Sequence, residues 1–459
     1  MLFHSWTFLI FFAAVYAVYL LVKGTRLRSP WLLVASYVFY GWWNPLYPLL
    51  IAYATTVDYL LVLAMDRWRF KKKLFLFLSV VNNLALLGFF KYGAFMTENL
   101  NALLEQLGLE YAIPMPDLLL PVGISFFVFQ SMSYTIDFYR GKVEKEPNLI
   151  RYATFVSLFP RLLAGPIERA RNLLPQLRRT PRIQTQDITD GLSLFVVGLF
   201  KKVALADYLA TYVDEVYAVP DLYQAPALVL ATFAFAWQIY FDFSGYTDMA
   251  RGIARVMGIR IMLNFNNPYL ATGLGDFWNR WHISLSTWFR DYVYISLGGN
   301  RKGTFRTYIN MCATMVISGL WHGAQWTFVM WGGVHALGRV FTRRLEQTDF
   351  YRERVPRGIK QALVFLFVSF CWIFFRAATI SDAFLIIKRI VTSGFADPRC
   401  PVLMLAQIAV VWVYQFLYES RFKRVLELGA VRIALVVAML LYLALFATSS
   451  TRPFIYFQF

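Results

Sequence analysis

The chain has 459 residues, 58% hydrophobic and 18% aromatic, with only 16% charged and a formal net charge of +18. Soluble domains carry about 25% charged residues, so this composition excludes an ordinary soluble protein. The basic excess is dispersed between apolar runs, which argues against nucleic-acid binding and for one polytopic membrane domain over residues 1–459.

Crossing a hydrocarbon core of ~30 Å takes about 20 apolar residues in a helix. The runs that approach this are Trp6–Val22, Tyr47–Met65, Leu74–Phe90, Leu118–Phe138, Ala227–Tyr240, Ala362–Phe375, Val402–Leu417 and Ile433–Ala447. The first lacks a basic leader and a small-residue cleavage site, so it reads as a retained helix. Arg67, Arg69, Lys71, Lys72 and Lys73 follow the second run. After the third comes Ala94–Asp117, with Glu98, Glu105, Glu110 and Asp117 and no Lys or Arg. Basic residues return at Arg140, Lys142, Lys145 and Arg151. Alternation of this kind marks cytoplasmic and external loops in turn. It predicts a multi-pass protein of the lipid bilayer with both termini outside, the C-terminal Phe454–Phe459 included.

Two stretches do not read as plain spans. Tyr152–Pro160 is apolar for about two turns and then breaks at Pro160 and again at Gly165-Pro166. Broken backbone survives at membrane depth only inside protein or beside water, so a re-entrant segment is expected here, with an interfacial helix as the alternative. The other stretch, Tyr308–Leu337, is flanked by Arg301, Lys302 and Arg306 on one side and by Arg339, Arg343 and Arg344 on the other. Basic residues at both ends put both ends on one face, which predicts a hairpin of two short arms reversing near Gly319 and Gly323. One long tilted helix is the competing form.

His322 lies in the middle of that stretch, in Gly319-Leu320-Trp321-His322-Gly323. An ionisable group at membrane depth costs roughly 2.5–3.5 kcal/mol for charged types and is a functional candidate by default. Histidine can remain neutral there and still accept a proton, so a buried general base is the first hypothesis. His282 stands in a Trp- and Arg-rich amphipathic stretch, Asp276–Tyr292, suited to an interface or a polar cavity wall. His4 and His335 read as interfacial, the latter at headgroup level beside Arg339. Gly-x-Ser-x-Gly, Walker and His-Glu-x-x-His patterns are absent, and Cys312, Cys371 and Cys400 have no metal-ligand spacing, so no metal is expected. The residues alone leave acyl transfer and proton-coupled transport both open, the latter through Asp137, Asp242 and Asp248.

Several segments carry a resemblance over nearly the whole chain. They are Leu120–Phe127, Gln130–Arg140, Phe159–Ile167, Tyr240–Ala250, Asn264–Tyr269, Phe277–Ser286, Gly319–Gly323 and Phe454–Phe459. In this order and spacing the chain resembles the membrane-bound O-acyltransferases (MBOAT), and within them the branch that acts in alginate O-acetylation. The resemblance implies an all-α fold of about eleven transmembrane helices, with re-entrant or interfacial helices near Tyr152–Pro166 and Gly275–Ser296, around a central cavity. It maps the essential catalytic histidine to His322 and a second site to His282. Asn266, Asn279, Asp248 and Trp321 are candidate substrate-binding residues. One departure is Arg161, where related sequences more often carry Gln, a change expected to alter the cytoplasmic face of the re-entrant loop. The implied chemistry takes an acetyl group from cytoplasmic acetyl-CoA, with no bound cofactor. It delivers the group to an exported polysaccharide such as alginate, directly or through a periplasmic or membrane-anchored partner acetyltransferase. Cellulose, peptidoglycan or the D-alanylation of teichoic acid are alternative destinations, and the implied location is the bacterial inner membrane.

Overall fold

In hydrocarbon each backbone N–H and C=O must be satisfied within the protein, which drives long apolar runs into helices. The computed structural model describes residues 1–109, 111–116, 120–395, 401–446 and 452–455. Among them there are twenty α-helices and no strand. Five helices are long and apolar enough to cross a membrane, at Tyr47–Arg67, Arg69–Phe90, Ala225–Val256, Arg357–Arg376 and Gly429–Phe446. Trp6–Val22 and Val402–Tyr418 are apolar but shorter. The protein is thus an all-α polytopic membrane protein, and the total of about eleven spans stays an expectation. Leu118, Leu119, Cys400, Ala447 and Tyr456–Phe459, which entered the readings above, lie outside the described residues, as do Glu110 and Asp117.

The chain forms two compact units, one of residues 1–192 with 250–262 and one of residues 193–249 with 263–459. The first unit opens with α1 (Trp6–Val22), α2 (Arg28–Gly41), α3 (Tyr47–Arg67) and α4 (Lys72–Phe90). It continues with α5 (Gly93–Gln106), α6 (Ile124–Tyr139), α7 (Leu149–Ser157) and α8 (Ala170–Arg178). At its centre Asp58 of α3 accepts hydrogen bonds from Ser79 Oγ of α4 at 2.7 Å, Asn83 Nδ2 at 2.9 Å and Ser131 Oγ of α6 at 2.5 Å. Ser131 in turn lies 2.9 Å from the Tyr152 hydroxyl of α7. A buried carboxylate this well satisfied ties four helices together.

The broken segment is wholly internal. Residues Tyr152 to Ala170 are all buried, so the turns after Ser157 and at Gly165 are shielded by protein, as broken backbone requires. Gly123 (φ 79°) begins α6 directly against it, and a Cβ there would come within 3.1 Å of the Leu163 backbone. Arg161 is buried as well and donates to the Val156 carbonyl at 2.8 Å and to the Phe155 carbonyl. The expectation that it alters a cytoplasmic face is therefore corrected: it is an internal tie of the bend.

In the second unit, α9 (Thr185–Phe200), whose second half belongs there, runs into a wide π-type turn at Lys201–Ala206, followed by α10 (Asp207–Ala218) and α11 (Ala225–Val256). Helix α11 is 32 residues long, well beyond the apolar run read from the sequence. It continues through Asp242 and Asp248 because the π turn supplies counter-charges. Lys202 Nζ lies 2.7 Å from Asp242 and 2.8 Å from Asp207, and Lys201 Nζ lies 2.7 Å from Asp248. Next come α12 (Leu274–Arg280), α13 (Ile283–Trp288), α14 (Gly303–His322), α15 (Trp326–Leu345) and α16 (Arg357–Arg376). Helices α17 (Ile380–Thr392), α18 (Val402–Tyr418), α19 (Lys423–Leu426) and α20 (Gly429–Phe446) complete it.

The stretch around His322 is a hairpin, not one tilted helix. Its arms, α14 and α15, have 20 residues each, about 30 Å at 1.5 Å per residue, and so are longer than the short arms expected. The reversal occupies residues 323–325. Gly323 has extended backbone (φ −158°), so its lack of a side chain matters for space rather than for turn geometry. A Cβ at Gly319 would overlap the Phe328 carbonyl, one at Gly323 would strike the Phe328 ring, and one at Gly332 would lie 2.5 Å from the Met315 carbonyl oxygen. Small residues let the two arms close on each other, as they do between helices in lipid.

Candidate active site

The last residue of α14 is His322, and its ring is buried. Trp321, Trp331 of α15 and Phe375 of α16 stand around it edge-on, with ring centroids at 5.0, 5.1 and 5.3 Å. Edge-to-face packing of this kind positions a flat side chain firmly. The close arms of the hairpin set this arrangement, since Trp331 adjoins Gly332.

His282 reaches the same place from another direction. It joins α12 to α13 in the left-handed region (φ 42°, ψ 53°), rare for a residue other than glycine. Its ring stands 4.5 Å from Phe243 of α11 and 6.1 Å from Trp321. Trp321 therefore borders both histidines, and the two rings are one indole apart. His282 Nδ1 lies 3.2 Å from Asn264 Oδ1, which also accepts from Ser284 N–H at 3.2 Å and Ser284 Oγ at 2.9 Å. Two residues before His282, Arg280 is held by Asp276 at 2.9 Å and Glu419 at 2.7 Å.

The other candidates separate from this pair. The Asn266 and Asn279 side chains are exposed, and the Asn266 backbone N–H donates to the Arg280 carbonyl at 2.9 Å. Asp248 is ion-paired with Lys201. A cavity of about 250 Å³ is lined by Lys202, Asp207, Asp242, Asp214, Arg376 and Arg452, among others, and by neither His322 nor His282. The backbone N–H of Ile455 closes one side of it with a 2.7 Å bond to Asp242. Among the described residues no group of three or more His, Cys, Asp or Glu side chains could hold a metal ion.

His335 is a correction. Instead of lying at headgroup level it is fully buried, with its ring 4.8 Å from Trp331, 5.0 Å from Trp278 and 5.9 Å from Phe367. Residues 331 and 335 are one helical turn apart, so the face of α15 that serves His322 carries His335 inward too. Sequence reading also missed Asn264, Ser284, Phe243 and Phe375. Asn264 lay inside a quoted segment, but nothing in its spacing told it apart from Asn266.

Residues 46–381 match the membrane-bound O-acyltransferase family, MBOAT. The chain belongs to that family. It is 43% identical over 387 residues to the probable alginate O-acetylase AlgI of Pseudomonas putida, covering 83% of this chain and 79% of the relative. The peptidoglycan O-acetyltransferase of Helicobacter pylori is 33% identical over 398 residues, covering 80% of this chain and 75% of that protein. The teichoic acid D-alanyltransferase of Streptococcus thermophilus is 27% identical, over 60% of this chain and 69% of that protein. As a member of this MBOAT family the protein is a membrane-embedded O-acyltransferase, and the structure brings together His322, His282 and Trp321 of its sequence-derived site.

Proposed function

We propose that the protein takes an acetyl group from cytoplasmic acetyl-CoA and passes it through the inner membrane for O-acetylation of an exported polysaccharide, alginate in the first instance. The observation that carries the site assignment is the pair of buried histidines, His322 and His282, sharing the Trp321 indole. In this reading residues 1–459 act as one catalytic membrane domain with both termini outside.

A hydroxyl has a pKa far above neutrality and attacks a thioester slowly unless its proton leaves as the new bond forms. His322 accepts that proton while the hydroxyl oxygen adds to the acetyl carbonyl, an effect typically worth ~10²–10⁴-fold. The carbonyl end of α14 complements the positive charge that develops on the ring. Collapse of the tetrahedral intermediate breaks the C–S bond, and the departing CoA thiolate takes the proton back. His282 orients a reacting group from the other side of Trp321. Asn266, Asn279 and Asp248 serve the approach of substrates rather than the chemistry.

In the relay form the attacking hydroxyl belongs to a partner acetyltransferase on the outer face, which passes the acetyl group on to the polymer. The acidic stretch Ala94–Asp117, with Glu98 and Glu105 on α5, would repel a polyanion such as alginate, which favours relay over direct transfer. A pure transport reading through Asp242 and Asp248 is weakened by their ion pairs with Lys202 and Lys201. The test is release of free CoA from acetyl-CoA by the purified protein in lipid discs, alone and with the partner. His322→Ala and His322→Gln should both abolish it while leaving expression unchanged, because Gln cannot take up the proton. Activity in the Gln variant near the parent level would sink the base assignment.

A further inference from the structure

The hydrogen bonds around Asn264 bear on the role of His282, for which the mechanism does not say which reacting group it orients. Asn264 is buried in the segment before α12, and Ser284 and His282 are buried beside it. Its side-chain Oδ1 and its backbone carbonyl both face the His282 bend. The carbonyl accepts from Ile283 N–H at 2.9 Å, and Oδ1 accepts from the backbone N–H and the hydroxyl of Ser284. The amide end of a side chain can be assigned only from such a network. Here the network decides it. A backbone N–H can only donate, so the Asn264 atom that faces Ser284 N–H is the oxygen.

That same oxygen lies 3.2 Å from His282 Nδ1. An amide oxygen only accepts, so Nδ1 must carry a proton. In a neutral imidazole one nitrogen donates and the other accepts. We propose that Asn264 is the positioning residue that holds His282 in its Nδ1–H tautomer, so that His282 presents Nε2 to the reaction as a hydrogen-bond acceptor. This rests on the reading of His282 as the second site residue. It assigns His282 to the acceptor side of the reaction: Nε2 accepts a hydrogen bond from a donor group of the acceptor beside the attacking hydroxyl, whose own proton goes to His322. That bond aims the attacking oxygen at the acetyl carbonyl. A neutral ring in this tautomer has no N–H at Nε2 with which to hold a developing oxyanion.

The same three-residue grip explains the backbone. His282 is held in left-handed geometry by hydrogen bonds to the two residues that follow it, all received by Asn264. Phe243 and Trp321 then fix the ring plane from two sides. A hydrogen-bond partner on one ring nitrogen commonly sets which imidazole nitrogen is left to act.

The chain has four histidines, so the tautomer is directly readable by nuclear magnetic resonance. The full-length protein would be labelled with ¹³C,¹⁵N-histidine in lipid bilayers and the His282 signal identified by its loss in His282→Gln. The expected spectrum shows His282 as Nδ1–H in the parent and in Asn264→Asp, which keeps the accepting oxygen. Asn264→Leu should move it toward Nε2–H and lower kcat by roughly tenfold or more, with the KM for acetyl-CoA unchanged. Ser284→Ala removes a competing donor and should leave the tautomer as it is. An Nε2–H signal in the parent protein would overturn the proposal, as would an unchanged tautomer in a folded Asn264→Leu variant. Because the tautomer is read without turnover, the two readings fail separately: full transfer by His282→Gln with Nδ1–H intact in the parent would refute the site role alone.

Discussion

Replacing Gly332 with alanine tests whether the hairpin's closeness sets the position of the base. The new Cβ would lie 2.5 Å from the Met315 carbonyl oxygen and 3.0 Å from Val316 Cα, both backbone atoms of the facing arm. Neither can rotate aside, so α15 must retreat by about 1 Å to reach ordinary contact, a form of overpacking that costs typically ~1–3 kcal/mol. Trp331, the next residue, walls His322, and a ~1 Å misplacement of catalytic groups can cost about 10²-fold in rate. Gly333→Ala is the matched control, since nothing lies within 4 Å of its Cβ position and alanine favours a helix by up to ~1 kcal/mol. Thermal unfolding in detergent and the rate of CoA release from acetyl-CoA would be measured for both. Gly332→Ala should melt lower and react about a hundredfold more slowly, whereas Gly333→Ala should match or exceed the parent in stability. Equal melting and equal rates for the two variants would refute the argument that arm spacing positions His322.

Three other outcomes are expected. Lys202→Met leaves Asp207 and Asp242 buried without their shared cation and should cost about 3–5 kcal/mol, seen as loss of folded protein in a detergent-stability assay, while Lys202→Arg should be far milder. Arg161→Gln keeps one donor for the Phe155 and Val156 carbonyls and should destabilise by only about 1–3 kcal/mol; a loss of transfer with unchanged melting would show that the bend serves catalysis directly. Single cysteines at positions 71–73 should react with impermeant reagents only from the cytoplasmic side, and labelling from outside would reverse the topology.

The simple spans were legible because their signal is local. Helix α1 ends where its apolar run ends, and α3, α4 and α16 exceed theirs by only a few residues, the polar ends reaching beyond the hydrophobic stretch. Helix α11 was read at less than half its length because Asp242 and Asp248 look like an end when their counter-ions, Lys201 and Lys202, are forty residues away. Helix α5 was hidden in what read as a loop, since its polar residues mask a 14-residue helix. The hairpin was foreseen from charge at both its ends, but its arm length was not, because glycine at 319 and 323 reads as a turn whether it bends the chain or makes room for a neighbour. At the site, His322 stood out as an ionisable residue in an apolar run. Asn264 did not, because its importance lies in hydrogen bonds to a bend 18 residues later, and no periodicity encodes those.

The paired charges of the π turn also constrain how the protein is made. A single Lys or Asp left facing lipid costs roughly 2.5–3.5 kcal/mol, and the two pairs Lys202–Asp242 and Lys201–Asp248 place four such groups on segments that emerge about forty residues apart. Helix α9 and the π turn with its lysines are synthesised first, so they must be retained beside the insertion channel, or held with Lys201 in water, until α11 arrives. The two then leave for the bilayer with both lysines paired. Biogenesis of this enzyme is in that sense pairwise: a mutation of Asp248 would strand Lys201 on an earlier segment that had already been made correctly, whereas Lys202 would keep Asp207 beside it.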